Sequence, residues 1–334
     1  MHHQLRTSEE QAALVSVIIP CYKQADFLPE AIESALSQTH RPIEVIVVDD
    51  GSPDNTAEVV ARYPQVRYLR QENRGLGGAR NAGFRASKGD YVLFLDADDR
   101  LTPNAVAAHL SCFAQHPEAG FVAGDIDNIV LDGSYLCSPR WPLLKGNVYE
   151  DLLKVNHVAN TIAVMFRRSA FEQLGGFKMD YSPSEDVELL LRAAQLFPTA
   201  HHRSTVAEYR RHPNSLSRNA SVMLPAILRV MRLQRDVISG NRRLLRAQRR
   251  GKAFWRDYFG KEAAREFFKH LVHCSPRGAV KSLAILLWYV RGRLFVWPWK
   301  YRREILKAVK ARLSPRRETA SLRQRVPREQ HNRI

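Results

Sequence analysis

Tyr91-Val92-Leu93-Phe94-Leu95-Asp96-Ala97-Asp98-Asp99 decides the fold. The turn formers Gly89-Asp90 precede a short apolar run, and the run stops at three carboxylates. Such a run reads as a strand buried on both faces. In a parallel sheet, a buried strand delivers whatever follows it to the crevice at the carboxyl edge. Two carboxylates one residue apart at that edge suit a hard divalent cation, and a cation there can hold a diphosphate. The plain alternative is that Asp98 or Asp99 caps the helix that Pro103 helps to start. An Asp-x-Asp pattern alone does not choose between the two; its surroundings do.

Working outward, the first hundred residues alternate short apolar runs with helical spacing. Val15 to Ile19 predicts a strand stopped by Pro20, followed by a helix with Leu28, Ile32, Ala35 and Leu36 on one face and Asp26 as its cap. Glu44 to Val48 predicts a second strand, ended by Asp49-Asp50-Gly51-Ser52, with a helix from near Asn55. Val66 to Leu69 is a third, and Gly77-Gly78 opens a helix through Arg85. This alternation predicts an α/β fold with a doubly wound, mostly parallel sheet. Most of these strands end in chemistry-bearing residues, all at one sheet edge. From 103 to 220 the pattern is irregular, with helices near 103–115 and 187–196 and a strand over Ile162–Phe166.

Charge divides the chain. The net is +17, made of −5 over residues 1–220 and +22 over 221–334. A hydrophobic fraction of 45% suffices for a sizeable core and excludes global disorder. Cys21, Cys112, Cys137 and Cys274 show no paired spacing, so neither a zinc site nor a disulfide framework is expected, which fits a reducing cytosol. Residues 1–14 lack the apolar core of a secretory signal. No apolar run reaches the ~20 residues of a spanning helix; the best candidate, Leu283 to Val290, ends at Arg291 and Arg293. The divisions expected are residues 1–220 (catalytic), 221–317 (basic, helical) and 318–334 (disordered).

Several short motifs then fall in order: Val15-Ser16-Val17-Ile18-Ile19-Pro20-Cys21-Tyr22, Val48-Asp49-Asp50-Gly51-Ser52, Ala79-Arg80-Asn81-Ala82-Gly83, Asp96-Ala97-Asp98, Gly175-Gly176-Phe177 and Ser184-Glu185-Asp186. Together they resemble the family-2 glycosyltransferases of GT-A fold, over about residues 14–218. The resemblance implies a nucleotide-sugar donor, linked to UDP, GDP or dTDP. Pro20 and Tyr22 would lie at the base, with Asp50 as the base or ribose contact and Asp49 supporting it. Arg80, and less directly Arg74, would meet diphosphate oxygens across the loop containing Gly75, Gly77 and Gly78. Asp96 and Asp98 would hold Mn²⁺ or Mg²⁺, Asp98 most directly, with His212 as a further ligand. Asp186 would be the general base of an inverting transfer, and Gly176 and Glu185 would lie on the acceptor side. Arg210 and Arg211, in Tyr209-Arg210-Arg211-His212, would contact phosphate or acceptor. Taken singly, each piece has an ordinary structural reading: a half-buried ring, an Asp-Gly turn, a flexible glycine loop, an acidic first helical turn.

The Gln-x-x-Arg-Trp segment of processive polysaccharide synthases is absent from the sequence. That implies one sugar added per encounter, to a lipid-linked or cell-envelope glycan. Residues 226–317 interleave Arg and Lys with Phe254, Trp255, Phe259, Trp288, Tyr289, Phe295, Trp297 and Trp299. This pattern suits an anionic membrane surface, which would make the protein peripheral at the cytoplasmic face. Nucleic acid fits the aromatic-rich part less well, and a helical cover packed on the catalytic body stays open. The rivals are a catalytically silent nucleotide-sugar-binding protein with a working basic tail and a nucleotidyltransferase.

Overall fold

The computed structural model describes residues 13–140, 142–155, 161–212, 217, 219–272 and 276–287. Trp141, His157, Pro213, Ser215, the aromatic residues from Trp288 to Trp299 and the segment 318–334 lie outside the described residues.

One sheet organises the chain. Its strands are β1 (Val15–Cys21), β2 (Ile43–Asp49), β3 (Arg67–Arg70), β4 (Tyr91–Phe94), β5 (Arg100–Leu101), β6 (Phe121–Ile129), β7 (Tyr135–Cys137), β8 (Lys145–Gly146), β9 (Val164–Arg167) and β10 (Thr199–Arg210). Their order is β3-β2-β1-β4-β9-β6-β10-β5, with β7 on β6 and β8 on β10. The first four pair in parallel, β9 runs against both β4 and β6, and β6 and β10 are parallel. The helices are α1 (Leu28–Leu36), α2 (Thr56–Val60), α3 (Gly75–Ala86), α4 (Ala105–Gln115), α5 (Tyr149–Lys154), α6 (Arg168–Leu174), α7 (Glu185–Leu196), α8 (Ala220–Leu233), α9 (Arg242–Val272) and α10 (Pro276–Ile285).

Period-two alternation splits the core between the sheet's two faces. Val17, Ile19, Val45, Val47, Leu93 and Leu95 pack with the α1 and α4 residues Leu28, Ile32, Val106 and Phe113. Ile18, Ile46, Val48 and Phe94 point the other way, toward Phe171, Phe177, Leu190, Leu228, Ala247 and Phe259. The basic helices therefore share a core with the sheet. Gly251 shows how closely: a Cβ there would collide with the carbonyl oxygen of Leu153, so only glycine lets α9 lie against α5.

The four expected strands are all present, with three local corrections. Pro20 does not stop β1, which runs on to Cys21. The β1–β4 ladder ends at Ile18 opposite Phe94, so the missing N–H of Pro20 breaks no ladder bond. Asp26 does not cap α1; Phe27 occupies that position without a side-chain bond. Asp99 does not cap α4, which starts after Asn104; its Oδ1 accepts the backbone N–H of Arg210 at 2.7 Å instead.

Candidate active site

The carboxyl ends of β1, β2 and β4 put three loops side by side. Behind β2, Asp49 accepts from the Ser52 N–H at 2.7 Å and the Tyr68 hydroxyl at 2.6 Å, which fixes the turn. Asp50 reaches across it: its Oδ1 accepts from Gln71 at 2.7 Å and from the Arg74 N–H at 2.9 Å. Behind β1, the Cys21 carbonyl accepts from the Asp50 N–H at 2.9 Å, while the Tyr22 ring is 43% exposed. An open aromatic ring and a carboxylate thus stand on adjoining turns.

Behind β4, Asp96 accepts from Arg80 at 2.6 Å. The Arg80 guanidinium is only 2% exposed, lies over the Phe177 ring and stands 4.0 Å from Glu185. It is a buried tie between two carboxylates. The glycine loop also serves packing: a Cβ on Gly77 would lie 3.4 Å from Glu185 and Phe177, and one on Gly78 only 2.7 Å from the Arg74 Cβ.

Asp98 takes a hydrogen bond from Gln24 and stands 3.0 Å from the His212 Nε2. Burial, then the neighbouring Asp96 charge, raises its pKa above the usual carboxylate range. Asp99 is fully buried and raised well above it, again by burial first and then by Asp98 and Asp96. The Phe27 ring meets His212 edge-on at 5.2 Å.

Arg210 and Arg211 part company. Arg210 is 1% exposed, and its guanidinium is spent on the Asp98 carbonyl (2.8 Å), the Leu131 carbonyl (2.7 Å) and Glu30 (2.7 Å). Buried and with three of its five N–H groups engaged inside the protein, the residue clamps the acidic loop instead of making the phosphate or acceptor contact expected of it. Arg211 is exposed and lies over the Tyr209 ring.

On the far side of Arg80, α7 opens with Glu185, Asp186 and Glu188, where the helix N-terminus favours negative charge. Asp186 Oδ1 accepts the Val187 N–H at 2.7 Å, leaving Oδ2 for other partners. Burial, then the Glu185 charge, pushes the Asp186 pKa up to about 6, against the lowering pull of Arg80. Gly176 has φ +80, and a Cβ on it would sit 2.5 Å from the Asn81 oxygen. Asn81 in turn brackets Phe177, donating to its carbonyl and accepting its N–H, both at 2.8 Å. The expected acceptor-side glycine is thus a latch between two of the sequence motifs.

The family model for glycosyl transferase family 2 matches residues 16–175. Residues 16–175 form a glycosyltransferase family 2 domain.

Relatives of the chain include Escherichia coli chondroitin synthase, 30% identical over 58% of this chain and 28% of that protein. An uncharacterized glycosyltransferase of Nostoc is 40% identical over 48% of this chain and 52% of its own length. Hyaluronan synthase of Pasteurella multocida is 31% identical over 55% of this chain and 19% of that protein. The chain thus spans about half, or less, of the length of these relatives. Among solved structures, Staphylococcus aureus TarS in complex with UDP-GlcNAc superposes with TM-score 0.59 at 18% identity, covering 89% of this chain and 87% of that one. The expected GT-A architecture is the observed one.

Asp96, Asp98 and His212 fit a divalent cation by donor chemistry. A carboxylate close enough to raise its neighbour's pKa, as Asp96 does that of Asp98, leaves both oxygens to gain from a cation between them, and imidazole nitrogen is an accepted ligand. Among the described residues, no three His, Cys, Asp or Glu groups already stand in a ligand arrangement. Diphosphate oxygens would have to complete the shell, as is usual for magnesium-like ions. Motif reading missed Gln24, Phe27 and Glu30, which contact Asp98, His212 and Arg210. Nothing in α1 marks Glu30 as the partner of a residue 180 positions later.

Proposed function

We propose that the protein is an inverting, metal-dependent transferase. It would move one sugar per encounter from a nucleotide-sugar to a hydroxyl of a lipid-linked or cell-envelope glycan. The observation that carries this reading is the line Asp98–Asp96–Arg80–Glu185–Asp186, joined by contacts of 2.6 Å and 4.0 Å about the central guanidinium. In this reading Asp98 and Asp96 would be its cation-binding end and Asp186 its proton-accepting end. Glu185 Oε2, Arg80 Nε and the Ser184 hydroxyl are buried there without hydrogen-bond partners among the described residues. Such groups cost free energy unless a ligand satisfies them.

The acceptor alcohol would surrender its proton to Asp186 Oδ2 as its oxygen bonds to the anomeric carbon. The bond from that carbon to the diphosphate would break on the opposite side, which inverts the centre. Tyr22 and Asp50 would hold the nucleoside. Asp96, Asp98 and His212 would hold a Mn²⁺ or Mg²⁺ ion, which when bound neutralises charge growing on the leaving diphosphate. A UDP-linked donor is favoured because the TarS structures carry UDP and UDP-GlcNAc. Glycan acceptors are favoured because chondroitin and hyaluronan synthases are among the relatives. The basic helices would bring the protein to the cytoplasmic membrane face; among the described residues no helix is long and apolar enough to cross a membrane.

A screen of UDP-, GDP- and dTDP-sugars with Mn²⁺, scored by nucleoside diphosphate release, tests the proposal. Release from one nucleotide class, lost in Asp186→Asn, is the expected result. Pyrophosphate release instead would make the protein a nucleotidyltransferase.

A further inference from the structure

Helix α10 is apolar on the side it turns to solvent. Its packed side holds Ile285 and Leu286, which belong to the core shared with the sheet, and Ser282, buried beside them. A Cβ on Gly278 would lie 2.4 Å from the His270 ring, so this side lies close against α9. The other side carries Val280, Leu283, Ala284 and, just past the helix end, Leu287. Their i, i+3, i+4, i+7 spacing puts them in one stripe. Val280 is 67% exposed, Leu283 36% and Leu287 54%, and Ala284 is exposed too. A surface helix ordinarily sets polar side chains opposite its packed face. This one sets an apolar band about 10 Å long.

Charge decides what covers the band. Between Glu266 and Glu304 the sequence holds eight Lys or Arg and no acidic residue. The carboxylates that α9 brings to this end of the chain are already engaged. Asp257 pairs with Lys261 at 2.9 Å and Glu262 with Arg265 at 2.5 Å, and Glu266 has a partner as well. Two copies of the chain meeting through this face would bring their cations together, because a two-fold interface sets the same patch on both sides. Nucleic acid would meet the cations and leave the apolar band in water. An anionic bilayer satisfies both: the band enters the acyl boundary and the cations meet headgroup phosphates.

We propose that the outward face of α10, made of Val280, Leu283, Ala284 and Leu287, lies in the interface of an anionic membrane. This inference rests on the membrane association proposed above and narrows it to one helix face. The face is tied to the transfer site through α8, on which α10 packs. Arg229 of α8 donates to the Asp180 carbonyl at 3.1 Å and lies over the Tyr181 ring. Residues 180–184 lead directly into Asp186. The helix that touches lipid thus shares a neighbour with the segment carrying the proposed base.

The experiment is co-sedimentation of the full chain with vesicles of phosphatidylcholine alone or mixed in equal parts with phosphatidylglycerol. The wild type, V280Q/L283Q/L287Q, R277A/K281A and a control, L143Q/L196Q, are compared. Glutamine keeps helix propensity while removing the apolar surface. The stripe variant should bind the mixed vesicles roughly 100-fold more weakly, with its salt dependence kept. R277A/K281A should lose roughly 30-fold and show a flatter salt dependence. The control replaces apolar side chains 53% and 57% exposed elsewhere and should bind as wild type. The urea midpoint of the stripe variant should stay close to that of the wild type.

If the stripe variant binds as tightly as wild type, the face assignment falls while membrane association stands. Equal weakening by the control also overturns it, because apolar exposure anywhere would then explain binding. A lowered urea midpoint with binding unchanged would mean that the chain itself covers the stripe. A dimer seen by sedimentation and lost in the stripe variant would mean that a second copy does; either overturns the proposal. Equal binding to both vesicles would remove the anionic headgroup from it. If no form binds either vesicle, or RNA is retained instead, membrane association falls with the face.

Discussion

Arg80 donates to Asp96 at 2.6 Å while its other terminal nitrogen stands 4.0 Å from Glu185, so one guanidinium spans the two halves of the site. All three groups belong to different motifs, and Arg80 is wholly buried. Arg80→Ala leaves two carboxylates without their shared cation, and breaking such a buried pair costs about 3–5 kcal/mol. Urea unfolding should show a loss of that order. Arg80→Lys keeps the charge but cannot reach both partners in one plane, so it should recover part of the stability and little turnover. A neutral effect of Arg80→Ala on both readouts would remove the bridge from the scheme.

Asp186 links activity to pH. With its pKa raised to about 6, chiefly by burial, the base is ionised at pH 7.5 and protonated below 6. The rate kcat/KM should therefore fall as pH drops through about 6. Stability runs the other way. A carboxyl whose folded pKa is raised contributes stability below its unfolded pKa, and that contribution is lost as pH rises through the folded value. Asp186→Asn should consequently abolish transfer yet leave the melting temperature unchanged or higher at pH 7.5.

Cation binding can be read without turnover. Asp96, Asp98 and Asp99 oppose one another electrostatically, so Mn²⁺ should raise the melting temperature. Because the ligands must be deprotonated, the shift should grow as pH rises through the elevated Asp98 pKa. Asp98→Asn should lose most of it, and His212→Ala should lose less. A pH-independent shift retained in Asp98→Asn would place the ion elsewhere.

The latch between Asn81 and Gly176 makes a further test. Gly176→Ala combines a positive φ with a 2.5 Å approach to the Asn81 oxygen. Thermal unfolding should register at least about 1 kcal/mol of destabilisation, and turnover should fall because Phe177 packs against Arg80.

Gly251→Ala probes the helices. A methyl group there meets the Leu153 carbonyl, which α5 cannot withdraw without disturbing Leu152 and the core. Overpacking of this kind costs about 1–3 kcal/mol, seen as a lower urea midpoint. An unchanged midpoint would mean that α9 does not dock through Gly251.

What the sequence shows plainly is what is encoded locally. β1, β2 and β4 are apolar runs, broken only by Ser16 and Glu44 near their starts and followed by polar residues, so both their existence and their working edge can be read by eye. β6 and β10 are not legible in the same way. Asp125, Asp127 and Asn128 interrupt the apolar run of β6, while β10 carries His201, His202 and Arg203 and breaks register between His201 and Thr205. Their pairing with each other sustains them. The same holds for roles. Asp96, Asp98 and Asp186 stand in compact motifs, whereas the duty of Arg210 depends on Glu30, Asp98 and Leu131 together. Residue type predicts that an arginine will seek an anion; it does not say whether that anion is a ligand or the protein itself.

The clamp made by Arg210 has a bearing on how the enzyme comes into being. Its anchors lie in segments near 30, 98, 131 and 210, so a nascent chain emptied from the ribosome only as far as residue 175 owns β1 to β9 but neither β10 nor the clamp. Donor affinity should thus appear late in synthesis, after β10 has threaded in beside β6. A severed piece limited to residues 16–175 should make an inert reagent, however well it folds.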